Sequence, residues 1–168
     1  MPIARRYTPA EIENFLKASE GQKRVPSASP AHTLGMHLNI TKQGMETRVL
    51  DEVKEQATRF SSAEDLIGAV YEAMNSAQGQ LNLNDLDSGA KDRVLITHSL
   101  TGSYDAEGEM GEIFVFPMLD NAKEKKAMRA VGSLGGTGTR KIQQVTVIVD
   151  KLNATTPWIQ TAYPSKLY

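Results

Sequence analysis

The chain of 168 residues contains no cysteine. That excludes a disulfide framework, a thiolate nucleophile and any Cys-based zinc site. It suits a reducing cytosol, and equally a chain that crosses a membrane unfolded and refolds beyond it. Long apolar runs are missing too: nothing approaches the length of a membrane-spanning helix, and Met1 to Ala10 carries no signal-peptide core. The expectation is a protein that stays in the cytosol or travels as cargo on something else. Formal charge is only −1, so no strong overall field selects a partner. Familiar catalytic signatures are also lacking. No HExxH or similar metal arrangement occurs among the three histidines, no serine sits in a nucleophile elbow, and no carboxylate pair stands out.

What is there fits one α+β domain, long enough to bury roughly two thirds of its unfolded surface. Thr8-Pro9-Ala10-Glu11 is a capping box with proline at the first helical position, predicting a helix from Pro9 to Glu20 that stops at Gly21. Gln22 to Pro30 reads as a linker, which makes residues 1–28 a helical appendage and 29–168 the domain proper. Ser29-Pro30 opens a helix carrying His32 and His37, and Thr41 caps another running to about Gln56, with Met45, Val49 and Val53 on its apolar side and Arg48 beside them. Ser61 to Glu64 forms a second capping box before an amphipathic helix, and a shorter helical turn covers Ala77 to Leu86.

After Ser88-Gly89 the period changes. Arg93–Leu100, Glu112–Phe116, Ile142–Asp150 and Trp158–Tyr163 read as strands, joined into an antiparallel sheet, with Asp120 to Val131 inserted as a helix. N-terminal helices packed on a twisted antiparallel sheet are therefore expected. The closing strand, bracketed by Pro157 and Pro164, projects Thr161 and Tyr163 from one face and Ala162 from the other. Side by side, a hydroxyl and a phenol can donate two hydrogen bonds to one anion.

Charge is unevenly distributed. Glu46 to Asp87 holds nine acids against Arg48, Lys54 and Arg59, whereas Asp120 to Lys141 holds six bases against two acids. The glycine-rich run Gly132 to Lys141 lacks the GK[ST] ending of a P-loop and opens no helix. It reads as a mobile loop whose Arg140 and Lys141 are candidates for a phosphate backbone. Of the histidines, His32 and His37 are five apart and so are not expected to share a helix face. Metal-free chemistry by His, Arg, Thr and Tyr is what these residues leave open, and histidine is the side chain suited to proton transfer near neutral pH.

The run Ala31-His32-Thr33-Leu34-Gly35-Met36-His37-Leu38, then Arg48 on the following helix, then Thr161-Ala162-Tyr163-Pro164 at the end, resembles the bacterial ribonuclease A-like toxin domain of contact-dependent growth inhibition and other polymorphic toxin effectors. The likeness covers about Ser29 to Pro164, and the segment from Met118 to Gly136 departs from it as an insertion. By that resemblance, His37, Arg48, Thr161 and Tyr163 form the active site. His32, Arg140 and Lys141 stand near the substrate, with His32 otherwise a structural support. The resemblance further implies a metal-independent endoribonuclease with no cofactor, acting on RNA such as tRNA and delivered by a larger protein into a target cell. A cognate immunity protein would neutralise it. The competing expectation is a non-catalytic nucleic-acid- or protein-binding module of an effector or phage system.

Overall fold

The computed structural model describes residues 2–52, 54, 56–114, 129–136 and 138–167, with 111–114 and 129–135 described by backbone alone. Among the described residues, five helices and six strands follow one another as α1 (Pro9–Ser19), α2 (Thr33–His37), α3 (Lys42–Asp51), β1 (Gln56–Phe60), α4 (Ala63–Asn75), α5 (Ala77–Asp87), β2 (Arg93–Ser99), β3 (Asp105–Phe114), β4 (Arg129–Gly136), β5 (Arg140–Lys151) and β6 (Pro157–Leu167). All strand pairings are antiparallel: β1 and β4 flank β3, β2 and β6 flank β5, and β3 meets β5 at Asp105 and Ala106. The result is a curled sheet with helices against it, an α+β architecture as expected.

Local chemistry sets most helix starts. Thr8 and Glu11 exchange hydrogen bonds as a capping box, and Thr41 Oγ1 accepts the Gly44 amide at 2.9 Å. The cap of α4 falls on Ser62 rather than Ser61, its hydroxyl accepting the Asp65 amide at 3.0 Å. Ser61 is committed elsewhere, donating its own amide to Asp105 across the sheet.

The main core lies between α1, α4 and α5 and one face of β2, β5 and β6. Val145, Val147 and Val149 alternate into it, with Val94 and Ile96 on one side and Ile159 and Ala162 on the other. Ile40, Met45, Val49 and Ala57 form a second, smaller cluster under α3. Val53, expected to continue that apolar side, lies outside the described residues.

Several expectations are corrected. Helix α1 is no appendage: Ile3, Tyr7, Ile12 and Leu16 belong to the main core, and Asp87 accepts the amides of Ile3 and Ala4 at 2.8 Å each. The linker is pinned as well, through Gly21 to Ala31 and Ala31 to Gln22 backbone bonds and an Arg24–Asp150 ion pair at 3.5 Å. Proline cannot pair in a central strand, so the sequence reads as a loop there, although its ends are close enough to bond. The helix expected from Thr41 to Gln56 stops at Asp51, and Gln56–Phe60 is a strand. Its polar sequence hides it: Arg59 faces Glu107 across the ladder and pairs with it at 2.6 Å.

The glycine-rich run is no loop either. Arg129–Gly136 pairs with β3 and turns through Gly138, whose φ of 68° lies in the left-handed region, into β5. Of the helix expected over Asp120 to Val131, positions 129–131 are therefore strand, and 120–128 lie outside the described residues. Pro164, expected to stop the last strand, sits inside β6 opposite Val145, next to a register shift that accommodates its missing N–H.

If α1 is part of the core, Leu16→Ala in the whole chain should cost about 2–5 kcal/mol of unfolding free energy, read from urea denaturation. A loss within experimental error of zero would restore the appendage.

Candidate active site

In an antiparallel pair, residues opposite each other share a face. Ala162 faces Val147 and so points into the core, whereas Thr161 faces Ile148 and Tyr163 faces Thr146 on the reverse side. Between Ile159 and Thr161 the register shifts, leaving Gln160 outside the regular pairing, and its side chain is used to hold the segment ahead of α2. Gln160 Nε2 donates to the carbonyls of Ser29 and Pro30 at 3.1 and 3.2 Å, while its own carbonyl accepts the His32 amide at 3.2 Å. The next tie is at Thr33, whose buried hydroxyl accepts the Ala162 amide at 3.0 Å.

Helix α2 is only five residues long, and His32 gives its N-terminus no side-chain cap. Glu20 supplies the cap from α1, accepting the amides of Leu34 and Gly35 at 2.8 and 2.7 Å. A carboxylate there also complements the positive helix end. The N-terminal helix thus positions the site from a distance.

These ties bring His37 against β6. Its ring centroid is 5.5 Å from that of Tyr163 and 5.9 Å from that of His32. A cleft of about 380 Å³ is lined by His32, His37, Arg48, Thr161 and Tyr163, together with Lys54, Thr58 and Ser165. The four residues of the resemblance therefore share one cavity, drawn from α2, α3 and β6. His32 lines it too. It is the residue before α2, with φ of −145°, so helical spacing does not govern where its ring lies. Arg140 and Lys141 line no part of this cleft: both are exposed at the start of β5, and Lys141 pairs with Asp105 at 2.9 Å. Lys54, Thr58 and Ser165 were not singled out from sequence. Thr58 lies within β1 and Lys54 two residues before it, so both reach the cleft through a strand whose polar sequence does not mark it as one.

His37 is buried, and its Nδ1 lies 3.2 Å from the Thr58 carbonyl. A carbonyl only accepts, so the proton sits on Nδ1 and Nε2 keeps its lone pair. Burial pushes the imidazole down from its ordinary 6.5 to about 4, against the Thr58 hydrogen bond, with the Arg48, His32 and Lys54 charges adding to the depression. His37 is thus a neutral acceptor at neutral pH. Thr161 Oγ1 is buried with no hydrogen-bond partner among the described residues. Such a group normally has one, and here it lines the cleft.

Arg48 makes two long hydrogen bonds at the cleft. Its Nε reaches Glu52 at 3.3 Å and one Nη reaches the Met36 carbonyl at 3.4 Å. Cation and hydroxyl donors beside a neutral imidazole form an anion site with a built-in proton acceptor. Among the described residues no group of three or more His, Asp or Glu side chains is placed to hold a metal ion.

The depressed His37 value makes stability pH-dependent. Between pH 6.5 and 4 the unfolded chain takes up a proton that the folded chain refuses, so stability falls as pH drops through that window, by up to roughly 3 kcal/mol. Urea midpoints from pH 7 to 4 should therefore fall more steeply for the wild type than for His37→Gln. Parallel curves, or an NMR midpoint for His37 at 6.5 or higher, would overturn the assignment. No protein-family model, curated protein or solved structure matches the chain.

Proposed function

We propose that the protein is a metal-independent endoribonuclease that cleaves RNA, tRNA included, by attack of a ribose 2′-OH on the adjacent phosphorus. The observation that supports this is the meeting of His37, Arg48, Thr161 and Tyr163 around one cavity. Cleavage of this kind needs a proton acceptor, a proton donor and charge stabilisation at phosphorus, and these four side chains supply all three.

In the proposed step, His37 Nε2 accepts the 2′-OH proton as the O2′–P bond forms. The P–O5′ bond breaks, and the Tyr163 hydroxyl is positioned to protonate the departing O5′, leaving a 2′,3′-cyclic phosphate. Arg48 grips the phosphate through its planar fork, and the Thr161 hydroxyl, without a partner among the described residues, donates to a non-bridging oxygen. The Thr58 carbonyl keeps His37 in the tautomer that can act as base. DNA offers no 2′-OH and is not a substrate. The likeness of the HT…H run and the TAYP ending to polymorphic toxins extends the reading to an effector carried by a larger protein, acting in a target cell's cytoplasm and held in check by a cognate immunity protein.

The test is purified protein incubated with total tRNA in EDTA, with a 2′-deoxy oligonucleotide alongside. The expectation is cleavage of the tRNA alone, a loss of at least about 100-fold for His37→Ala, and a marked loss for Arg48→Lys, which keeps the charge but not the fork. Circular dichroism checks that each variant is folded. Intact tRNA across pH 5 to 8, or cleavage by His37→Ala at the wild-type rate, would sink the proposal. Salt-dependent RNA binding without cleavage would mark a binding module instead.

A further inference from the structure

Among the described residues five arginines meet carboxylates, and two of them, Arg93 and Arg59, do so with two hydrogen bonds each. Arg93 holds Asp150 with two bonds at 2.6 and 2.8 Å, and Arg59 holds Glu107 with two at 3.1 and 2.6 Å. The first is a fork-to-fork pairing of the strong kind, whereas both Arg59 donors share one oxygen of Glu107. Arg48 touches Glu52 only through Nε at 3.3 Å, although its side chain is just 11% exposed. The second oxygen of Glu52 goes instead to Lys54, at 2.8 Å.

Glu52 therefore spans two cations that both line the cleft, while Glu52 itself is not among the lining residues. Its placement follows from the chain: Glu52 is the C-cap of α3, one helical turn beyond Arg48 and two residues before Lys54. A carboxylate and a phosphate compete for the same N–H donors. The carboxylate is 41% exposed, so it can swing into water at small cost. Burial alone would raise its pKa, but the bonds to Lys54 and Arg48 outweigh this and hold it below the usual carboxylate range.

We propose that Glu52 is the cleft's own counter-anion: it neutralises Arg48 and Lys54 in the absence of ligand and releases both to the phosphate of an RNA strand. Lys54 is then a phosphate-binding residue in its own right. The inference rests on the nuclease reading for the identity of the ligand, but its geometry concerns phosphate binding and not cleavage.

The experiment is calorimetric titration of the whole chain with inorganic phosphate at low salt, and with a 2′-deoxy dinucleotide that cannot be cleaved. Glu52→Gln should bind about two- to fivefold tighter than wild type, and Lys54→Gln weaker by about the same factor, the range of a partly exposed ion pair. Combining the two substitutions should shrink the gain from Glu52→Gln, the signature of coupled partners. Asp51→Asn, an exposed neighbouring carboxylate, should leave affinity unchanged. Equal or weaker binding by Glu52→Gln would overturn the inference and leave Glu52 as a support for Arg48. Tighter binding by Asp51→Asn to the same extent would also overturn it, as a general charge effect, and so would a wild type that binds no phosphate. The nuclease reading fails separately: phosphate binding that follows the pattern above, with tRNA left intact, would refute cleavage and keep the counter-anion.

Discussion

The site depends on how a five-residue helix is held. A helix this short has no stability of its own in water, because nucleation costs more than one turn of hydrogen bonds returns. Helix α2 exists because three outside groups fix it: the Glu20 carboxylate on its first amides, the Gln160 side chain and carbonyl on the segment before it, and the Ala162 amide on Thr33. Two of these come from the last strand and one from the first helix. His37, at the far end of α2, inherits its position from both chain ends.

The last strand does two jobs because its faces are separate. The side carrying Ile159 and Ala162 is core, packed with the valines of β5. The side carrying Thr161 and Tyr163 borders the cleft. Between them Gln160 steps out of register, and the irregularity frees a polar side chain to reach backbone carbonyls that a regular strand would not meet. A rigid, core-anchored strand is a good platform for site residues, since the packing on one face fixes the side chains on the other.

Much of this was legible in the sequence, and the failures share a cause. The capping box announced α1, a serine cap one residue away from the expected one opens α4, and the alternating valines announced β5, because short-range chemistry suffices there. Period two put Thr161 and Tyr163 on one face without any knowledge of what lay opposite. The polar strand Gln56–Phe60 and the glycine-rich strand Arg129–Gly136 were missed because their pairing with β3 carries the information, and partners distant in sequence leave no local mark. The same holds for Lys54 and Thr58, which the cleft acquires only through β1, and for α1, whose role in capping α2 depends on Glu20 meeting amides fourteen residues away.

The electrostatics of the cleft then follow from what is buried and what is not. Burial of the His37 imidazole, together with the neighbouring positive charges of Arg48 and Lys54, holds it below its ordinary value and keeps it neutral. A phosphate entering the cleft reverses the second of these influences, since its negative charge favours the imidazolium that proton transfer from a 2′-OH would create. The arrangement thus suits a base that is idle and uncharged without substrate and becomes a stronger acceptor once the anion is in place. The depressed basicity of His37 is therefore a property of the unliganded cleft, and an anion bound beside it would raise it.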